Sequence, residues 1–321
     1  MKKKILVIAG DPNSINSEII AKVWKKIAKS IKTKIYLIGN FDLIESQLKK
    51  IKLSIPLKKV NKLQDDSSTK VLKIVDVPLN FSQPFKIKLK DSRTYLKRCI
   101  DIGHKLAKIK GVSGLINCPI TKELLHKSKP TGLTELLSKK NKVSKNSEVM
   151  FIYGKKFSVV PITTHISIKN ISKSLNKNLI ITKIKTLNKF FKKLFKRYPK
   201  IGVLGLNPHN GEFVKNSEEI KVIIPSLKFL KKRGFKIEGP LSADTLFIND
   251  YKKYDVVVGM YHDQVLTPIK SLFHFNAINI TLGLNYIRVS PDHGPARNLI
   301  GKNKASYYSL LRCVEFINKL K

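Results

Sequence analysis

VVVGMYHDQVLTPIK, residues Val256–Lys270, begins as a buried strand and ends in an imidazole, a carboxylate, an amide and a lone lysine. A short continuous β-branched run has strand length and no alternating polar partner, so it belongs inside a sheet. Polar groups gathered at the mouth of such a strand have a natural use. In open α/β sheets, ligands bind outside the carboxyl ends of the strands.

Elsewhere in the chain, apolar runs with β-branched residues alternate with amphipathic stretches of helical period. This is the pattern of an α/β protein with a largely parallel sheet. Strands are expected at Lys4–Ala9, Lys34–Ile38, Gly114–Cys118, Val149–Tyr153, Phe157–Thr163, Ile201–Leu206, Tyr254–Gly259 and Ala277–Thr281. Helices are expected at Ser17–Ser30, Asp91–Lys108, Asn178–Arg197, Ser217–Lys232 and Lys304–Leu320. In the third of these, Ile180, Ile184, Leu187, Phe191, Leu194 and Phe195 repeat at three and four, which makes a core stripe and not a cofactor box. Short polar turns follow several strands: GDPNS, NCPITKE, TTHIS, NPHNGE and MYHDQ. They are spread through the chain, so a cleft between two α/β lobes would draw on both.

At 321 residues the chain can bury a large core, and its length suits about two domains. Hydrophobic residues make up 42% and recur at strand and helix lengths, which argues against disorder. No apolar run approaches the roughly 20 residues of a membrane-spanning helix. The start, MKKKILVIAGDP, resembles a signal peptide until it breaks at Gly10-Asp11-Pro12 without a small-residue cleavage site, so a core strand is expected there. Cys99, Cys118 and Cys313 are far apart and form no CxxC pair, which suits the cytoplasm and suggests neither disulfides nor a cysteine zinc site. The net charge of +41 comes from 63 Lys and Arg against 22 Asp and Glu. It invites a nucleic-acid reading, but the lysines are spread over every segment, aromatics for stacking are not interleaved, and no recognition motif is present. No specific nucleic-acid partner is expected. Attraction of small anions is the simpler consequence of the charge.

The seven histidines differ in context. His104 lies inside an amphipathic helix and His126 at a lysine-rich helix end, both suited to solvation or capping. His274 alternates with Phe273 and Phe275 and suits a half-buried position. His165, His209 and His262 each follow a predicted strand. Three imidazoles from strand ends would leave a fourth position open for substrate, as catalytic metal sites do. A strand-end histidine serves equally well as a satisfied polar residue, and these spacings match no local metal motif. Asp263 and Asp244 could orient imidazoles by accepting their other N–H, or could act as turn or cap residues.

The segments GDPNSINSE, NCPITKE, TGLTELLS, MFIYG, TTHIS, LNPHNGE, GPLSADTLF, MYHDQVLTPIK, INITLGLNYIRVSPDHG and GKNKAS occur together, in this order and spacing. Together they resemble the 4-hydroxythreonine-4-phosphate dehydrogenase family, NAD-dependent enzymes of pyridoxal 5′-phosphate biosynthesis, from Gly10 to Ser306. The resemblance implies two α/β/α lobes with a cleft between them, similar to isocitrate and isopropylmalate dehydrogenases. Residues 1–125 with 270–321 would form the NAD-side lobe, and 126–269 the metal and dimer side. It also implies a cytoplasmic homodimer with active sites completed across the interface. No GxGxxG follows a predicted strand, so the dinucleotide would be held without a Rossmann fingerprint.

Position by position, His165, His209 and His262 resemble the family's metal ligands, with His262 expected from the opposite subunit. The implied ion is divalent: zinc, magnesium or cobalt. Thr134, Lys270, Asn279 and Arg288 resemble its substrate-binding residues, and a phosphate or carboxylate would meet cationic donors at Lys270 and Arg288. The loop SPDHGPARNLIGKNKA resembles the adenosine side of an NAD(P) site, with His293, Gly294 and Asn303. The implied reaction oxidises the C3 alcohol of 4-phosphooxy-L-threonine with NAD(P)+ and decarboxylates the product to 3-amino-2-oxopropyl phosphate. Lys270 and Asp244 are the candidates for the general base.

The chain departs from the family pattern in three places. Leu133 replaces the histidine of Gly-His-Thr-Glu, Asn13, Ser14 and Asn16 replace small residues in the first loop, and Asn298 stands where an acidic residue is common. A missing hydrogen bond to a charged phosphate could cost roughly 1.5–3 kcal/mol. Two alternatives therefore stay open: a dehydrogenase of a phosphorylated sugar acid such as a 4-phosphotetronate, and a non-catalytic metal- or nucleotide-binding protein.

Overall fold

The computed structural model describes residues 3–63, 68–125, 132–144, 146–154, 157–273 and 277–320. His126 and His274 lie outside these residues. Among those described, twelve strands occur: β1 Lys4–Ile8, β2 Ile35–Gly39, β3 Leu57–Val60, β4 Leu72–Asp76, β5 Val112–Asn117, β6 Val149–Tyr153, β7 Ser158–Pro161, β8 Ile201–Leu204, β9 Ile237–Leu241, β10 Val256–Gly259, β11 Ile278–Leu282 and β12 Arg288–Pro291. They belong to two compact units, Met1–Asn141 with Asn285–Lys321, and Lys142–Leu284.

Both boundaries lie further along the chain than 125/126 and 269/270. The helix Leu133–Lys140 stays with the first unit, where Lys140 pairs with Asp101 at 2.5 Å. The helix His262–Phe273 stays with the second, because Val265, Leu266 and Ile269 pack in one core with Val159, Leu204 and Val257. β11 pairs with β6 over five residues and so belongs there too.

The first unit orders its strands β3-β4-β2-β1-β5-β12, and every pair is parallel. β1 and β2 are buried along their whole length, the outcome expected of unbroken apolar runs with both faces covered. Helix Asn16–Lys26 buries Ile19, Ile20, Val23 and Trp24, and helix Leu89–Leu106 buries Tyr95, Leu96, Cys99 and Ile100. From β1 the strand order runs outward in both directions, which makes the ends of β1 and β5 a topological switch point. The turns after these two strands touch: Asp11 N donates to Pro119 O at 3.1 Å. Gly10 permits that approach. Its φ is +82°, and a Cβ there would lie 2.6 Å from Pro119 O.

The second unit orders its strands β11-β6-β7-β10-β8-β9. β7, β10, β8 and β9 pair in parallel, while β6 is antiparallel to both neighbours. Helix Lys177–Phe195 is capped by Asn176, whose side chain accepts from Leu179 N at 2.9 Å. It buries Ile180, Ile184, Leu187 and Phe191, as its three-four spacing predicts.

The expected helix Ser17–Ser30 ends at Lys26, and a short turn of helix, Lys29–Lys32, follows. Ser217–Lys232 is a π-helical turn, Glu219–Ile223, running into the α-helix Ile224–Lys231. No helix of the described residues is long and apolar enough to cross a membrane.

Candidate active site

In the second unit the turns after β7, β8 and β10 carry His165, His209 and His262. The MYHDQ segment, expected as a turn, starts a helix at His262. Asp263 Oδ1 lies 2.6 Å from His262 Nδ1. A carboxylate at Nδ1 favours the proton there and leaves Nε2 as the available lone pair. The His165 and His262 rings of one chain are 5.9 Å apart between centroids. Among the described residues no group of three or more His, Cys, Asp or Glu side chains is gathered to hold an ion. Three imidazoles suit a divalent metal by donor type.

His209 sits in an unusual backbone. His209, Asn210, Gly211, Glu212 and Phe213 all have positive φ, at 49, 58, 60, 45 and 55°. Left-handed conformation costs about 1–2 kcal/mol per non-glycine residue, so such a turn persists only where its surroundings over-determine it. Glu219, fully buried, is the main determinant. Its Oε1 accepts from Leu206 N at 2.7 Å and Asn207 N at 2.9 Å, and its Oε2 from Asn207 Nδ2 at 3.0 Å. Burial pushes the Glu219 carboxyl up, but the Asn207 amide, its side chain and the Leu206 amide outweigh that and hold it below its ordinary value.

The three turns are also tied to one another. Glu218 accepts from Asn207 Nδ2 at 2.8 Å and from Ser172 Oγ, in the helix Ile171–Ser174 beyond the His165 turn. Thr163 Oγ1 donates to Met260 O at 2.7 Å. Gln264 Nε2 donates to Gly205 O at 2.7 Å, and its Oε1 accepts from Met260 N at 2.7 Å. Gln264 has no role in the sequence reading, and neither Glu218 nor Glu219 is singled out there. Nothing in their spacing signals that they would be clamps.

The other residues expected in this unit are placed as follows. Asn279, on β11, has a buried Oδ1 without a hydrogen-bond partner among the described residues, a free acceptor suited to a polar ligand. Lys270 is exposed on the helix His262–Phe273. Asp244 is exposed in the helical turn Ala243–Leu246 and accepts from Thr245 N at 2.9 Å.

In the first unit Arg288 is buried on β12, only 4% exposed. Asn117, at the end of β5, accepts from Arg288 Nε at 2.6 Å, and Thr134 Oγ1 accepts from Nη1 at 3.4 Å. Both of these partners are neutral, and Glu135 acts on the guanidinium electrostatically. Burial pushes it down to about 10, with Cys313, Tyr286 and Glu135 acting the other way, so it stays cationic at neutral pH. Thr134 and Arg288, paired in the sequence reading by role alone, are in contact. Asn117 was missed, although the polar NCP break after an apolar strand was its signal. Leu133, in the histidine position, is buried at 7% exposure.

The loop expected on the adenosine side lies in the same unit. His293 Nδ1 is 3.0 Å from Gly294 O, and its buried Nε2 has no partner among the described residues. Asn303 has φ 53°, and its carbonyl accepts from Lys22 Nζ at 3.0 Å. Lys22 also pairs with buried Glu18 at 2.7 Å, and Glu18 Oε1 accepts from Ala305 N at 2.8 Å. Arg297 of this loop reaches Asp11 Oδ2 at 3.4 Å and Thr121 Oγ1 at 3.3 Å, joining it to the turns after β1 and β5. The orphaned Nε2 of His293 and Oε2 of Glu18 fit a ligand rich in polar groups, as a dinucleotide is.

Comparison with known proteins gives a consistent result. Residues 30–317 match the family described as pyridoxal phosphate biosynthetic protein PdxA. The chain is 37% identical to a 4-hydroxythreonine-4-phosphate dehydrogenase of Sulfurihydrogenibium sp. (strain YO3AOP1), over 99% of this chain and 98% of that protein. It is 32% identical to a D-threonate 4-phosphate dehydrogenase of Pectobacterium atrosepticum, over the full length of both. The crystal structure of a 4-hydroxythreonine-4-phosphate dehydrogenase from Klebsiella pneumoniae superposes with a TM-score of 0.86 at 31% identity, covering 99% of each chain.

Proposed function

The chain belongs to the PdxA family of pyridoxal phosphate biosynthetic proteins, and from that premise we propose that it is a 4-hydroxythreonine-4-phosphate dehydrogenase. It would oxidise the C3 alcohol of 4-phosphooxy-L-threonine and release 3-amino-2-oxopropyl phosphate and CO₂. The observation that carries this reading is likeness to such enzymes over the whole length of the chain. Buried, charged Arg288, aimed by the neutral side chains of Asn117 and Thr134, supports an anionic substrate.

Loss of the hydroxyl proton and of a hydride from C3 leaves a ketone β to the carboxylate. That ketone accepts the electrons released as CO₂ departs. Arg288 would bind the phosphate or carboxylate, and Asn279 Oδ1 would accept a hydrogen from a substrate hydroxyl or ammonium. Lys270 or Asp244 would take the proton. A divalent metal held by His165, His209 and His262 would supply Lewis acidity at the substrate hydroxyl. NAD(P)+ would supply the hydride acceptor, with His293, Gly294 and Asn303 on its adenosine side.

We read the active form as a homodimer, from the apolar surface beside the histidine turns. Exposed apolar side chains flank the histidine turns: Ile166 and Ile168 beside His165, Phe213 and Val214 after His209. Ile168 is 78% exposed and Val214 60%. A second copy would cover them.

A second reading, a D-threonate 4-phosphate dehydrogenase, is favoured by one feature. Leu133 brings neither charge nor a hydrogen bond where the family pattern has histidine, and a relative of that activity matches over the full length. Rates of NAD(P)H formation with 4-phosphooxy-L-threonine and D-threonate 4-phosphate decide between them. The first reading expects the larger kcat/KM with the amino acid and CO₂ in equal amount to NAD(P)H.

A further inference from the structure

The left-handed turn from His209 to Phe213 is held from one side by a single carboxylate. Glu219 is fully buried at the start of the π-helical turn Glu219–Ile223 and spends both oxygens on the approach to His209. Leu206 N and Asn207 N converge on Oε1, and Asn207 Nδ2 on Oε2. Two glycines leave room for it. A Cβ at Gly205 would lie 3.1 Å from Oε1, and one at Gly211 3.0 Å from Oε2. Three N–H donors require an acceptor-only group with two oxygens, and an ionised carboxylate is the one side chain that supplies it.

We propose that Glu219 is a positioning residue for His209: its buried carboxylate locks the Leu206–Asn207 approach, and with it the left-handed turn that presents the imidazole to the metal. The proposal rests on the metal-binding reading above. A glutamine at 219 keeps the size of the side chain but turns an NH₂ toward the Asn207 NH₂, so two donors face each other and the grip on that side chain is lost. Glu218 adds a tie from Asn207 to the segment beyond His165, so the lock spans two histidine turns.

The test uses the full-length chain, stripped of metal and titrated with Co(II), with the visible cobalt spectrum as readout. Wild type, Glu219→Gln, Glu219→Asp and His209→Ala are compared. Asp255→Asn is the control for a carboxylate lost from the opposite end of β10 in the same unit. Glu219→Gln is expected to bind Co(II) at least tenfold more weakly than wild type and with an altered spectrum, while Asp255→Asn binds it as wild type does. Glu219→Asp, which keeps the charge, is expected to lie between the two. If Glu219→Gln does not fold, Asn207→Ala, which removes one gripped donor and leaves the carboxylate, is expected to show the same tenfold loss. Cobalt affinity and spectrum unchanged in the folded variant overturn the proposal. Wild type that takes up no cobalt, or His209→Ala that binds it normally, sinks the metal reading itself and the proposal with it.

Discussion

Gln264 and Gly205 join two strand ends: the Gln264 amide donates to Gly205 O at 2.7 Å while accepting from Met260 N at the same distance. One side chain thus sets the spacing between the turn that carries His209 and the helix start that carries His262.

Replacing Gln264 by leucine keeps the bulk and orphans one backbone carbonyl and one backbone N–H. Each buried unsatisfied group costs about 1–3 kcal/mol. Urea unfolding is predicted to show a loss of about 2–4 kcal/mol, with weaker metal retention in the folded protein. Unchanged stability would mean that water replaces the amide at both groups.

Arg288→Lys removes the directed Nε and Nη1 hydrogen bonds to Asn117 and Thr134 and leaves a point charge. With about 1.5–3 kcal/mol at stake for hydrogen bonds to a charged group, kcat/KM should fall roughly tenfold to hundredfold. Asn117→Ala should lower it in the same direction. The double variant should fall by less than the product of the two, because both changes act through one guanidinium. Full additivity in steady-state kinetics would separate Asn117 from substrate binding.

Ile168→Glu is predicted to shift the protein toward monomer in light scattering and to lower specific activity at low protein concentration, since charge would be buried at the proposed contact. An unchanged dimer would place the contact elsewhere.

Asp255 precedes β10 and accepts two hydrogen bonds from Arg197, both 2.6 Å, and one from Lys200 N at 2.9 Å. Arg197 holds its carboxyl below the ordinary 3.8 against the opposing effect of burial. A depressed folded-state pKa contributes stability that is present above the ordinary value and lost as pH falls through the folded one. Asp255→Asn should therefore destabilise near neutrality by about 1 kcal/mol, kept small by solvent around the exposed Arg197. The difference from wild type should shrink as pH falls below 4 in denaturation curves.

Much of the fold was legible in the sequence where side chains agreed with their surroundings. Val256–Gly259 is a fully buried strand, and the eight strands expected from apolar runs all exist, Val149–Tyr153 with the expected ends and the other seven with at least one end shifted. The four that were missed carry misleading residues. β4 contains Lys73, fully buried because its ammonium reaches Thr33 O at 2.7 Å and lies over the Tyr36 ring. β3 carries two exposed lysines, and β9 and β12 contain proline. The helix Phe41–Lys50 was also missed, though Asn40 caps it through Leu43 N. At the site, the histidines and Arg288 could be named because their residue types carry chemistry. Glu219, Gln264 and Asn117 could not, because each acts on backbone or on another side chain through contacts that sequence spacing does not encode.

The most direct measurement is NAD(P)H formation from 4-phosphooxy-L-threonine by wild type and His209→Ala, each stripped with chelator and then resupplied with divalent metal. Metal-dependent catalysis through His209 predicts turnover in resupplied wild type, none in stripped wild type, and none in His209→Ala under either condition. Undiminished turnover by His209→Ala would contradict it.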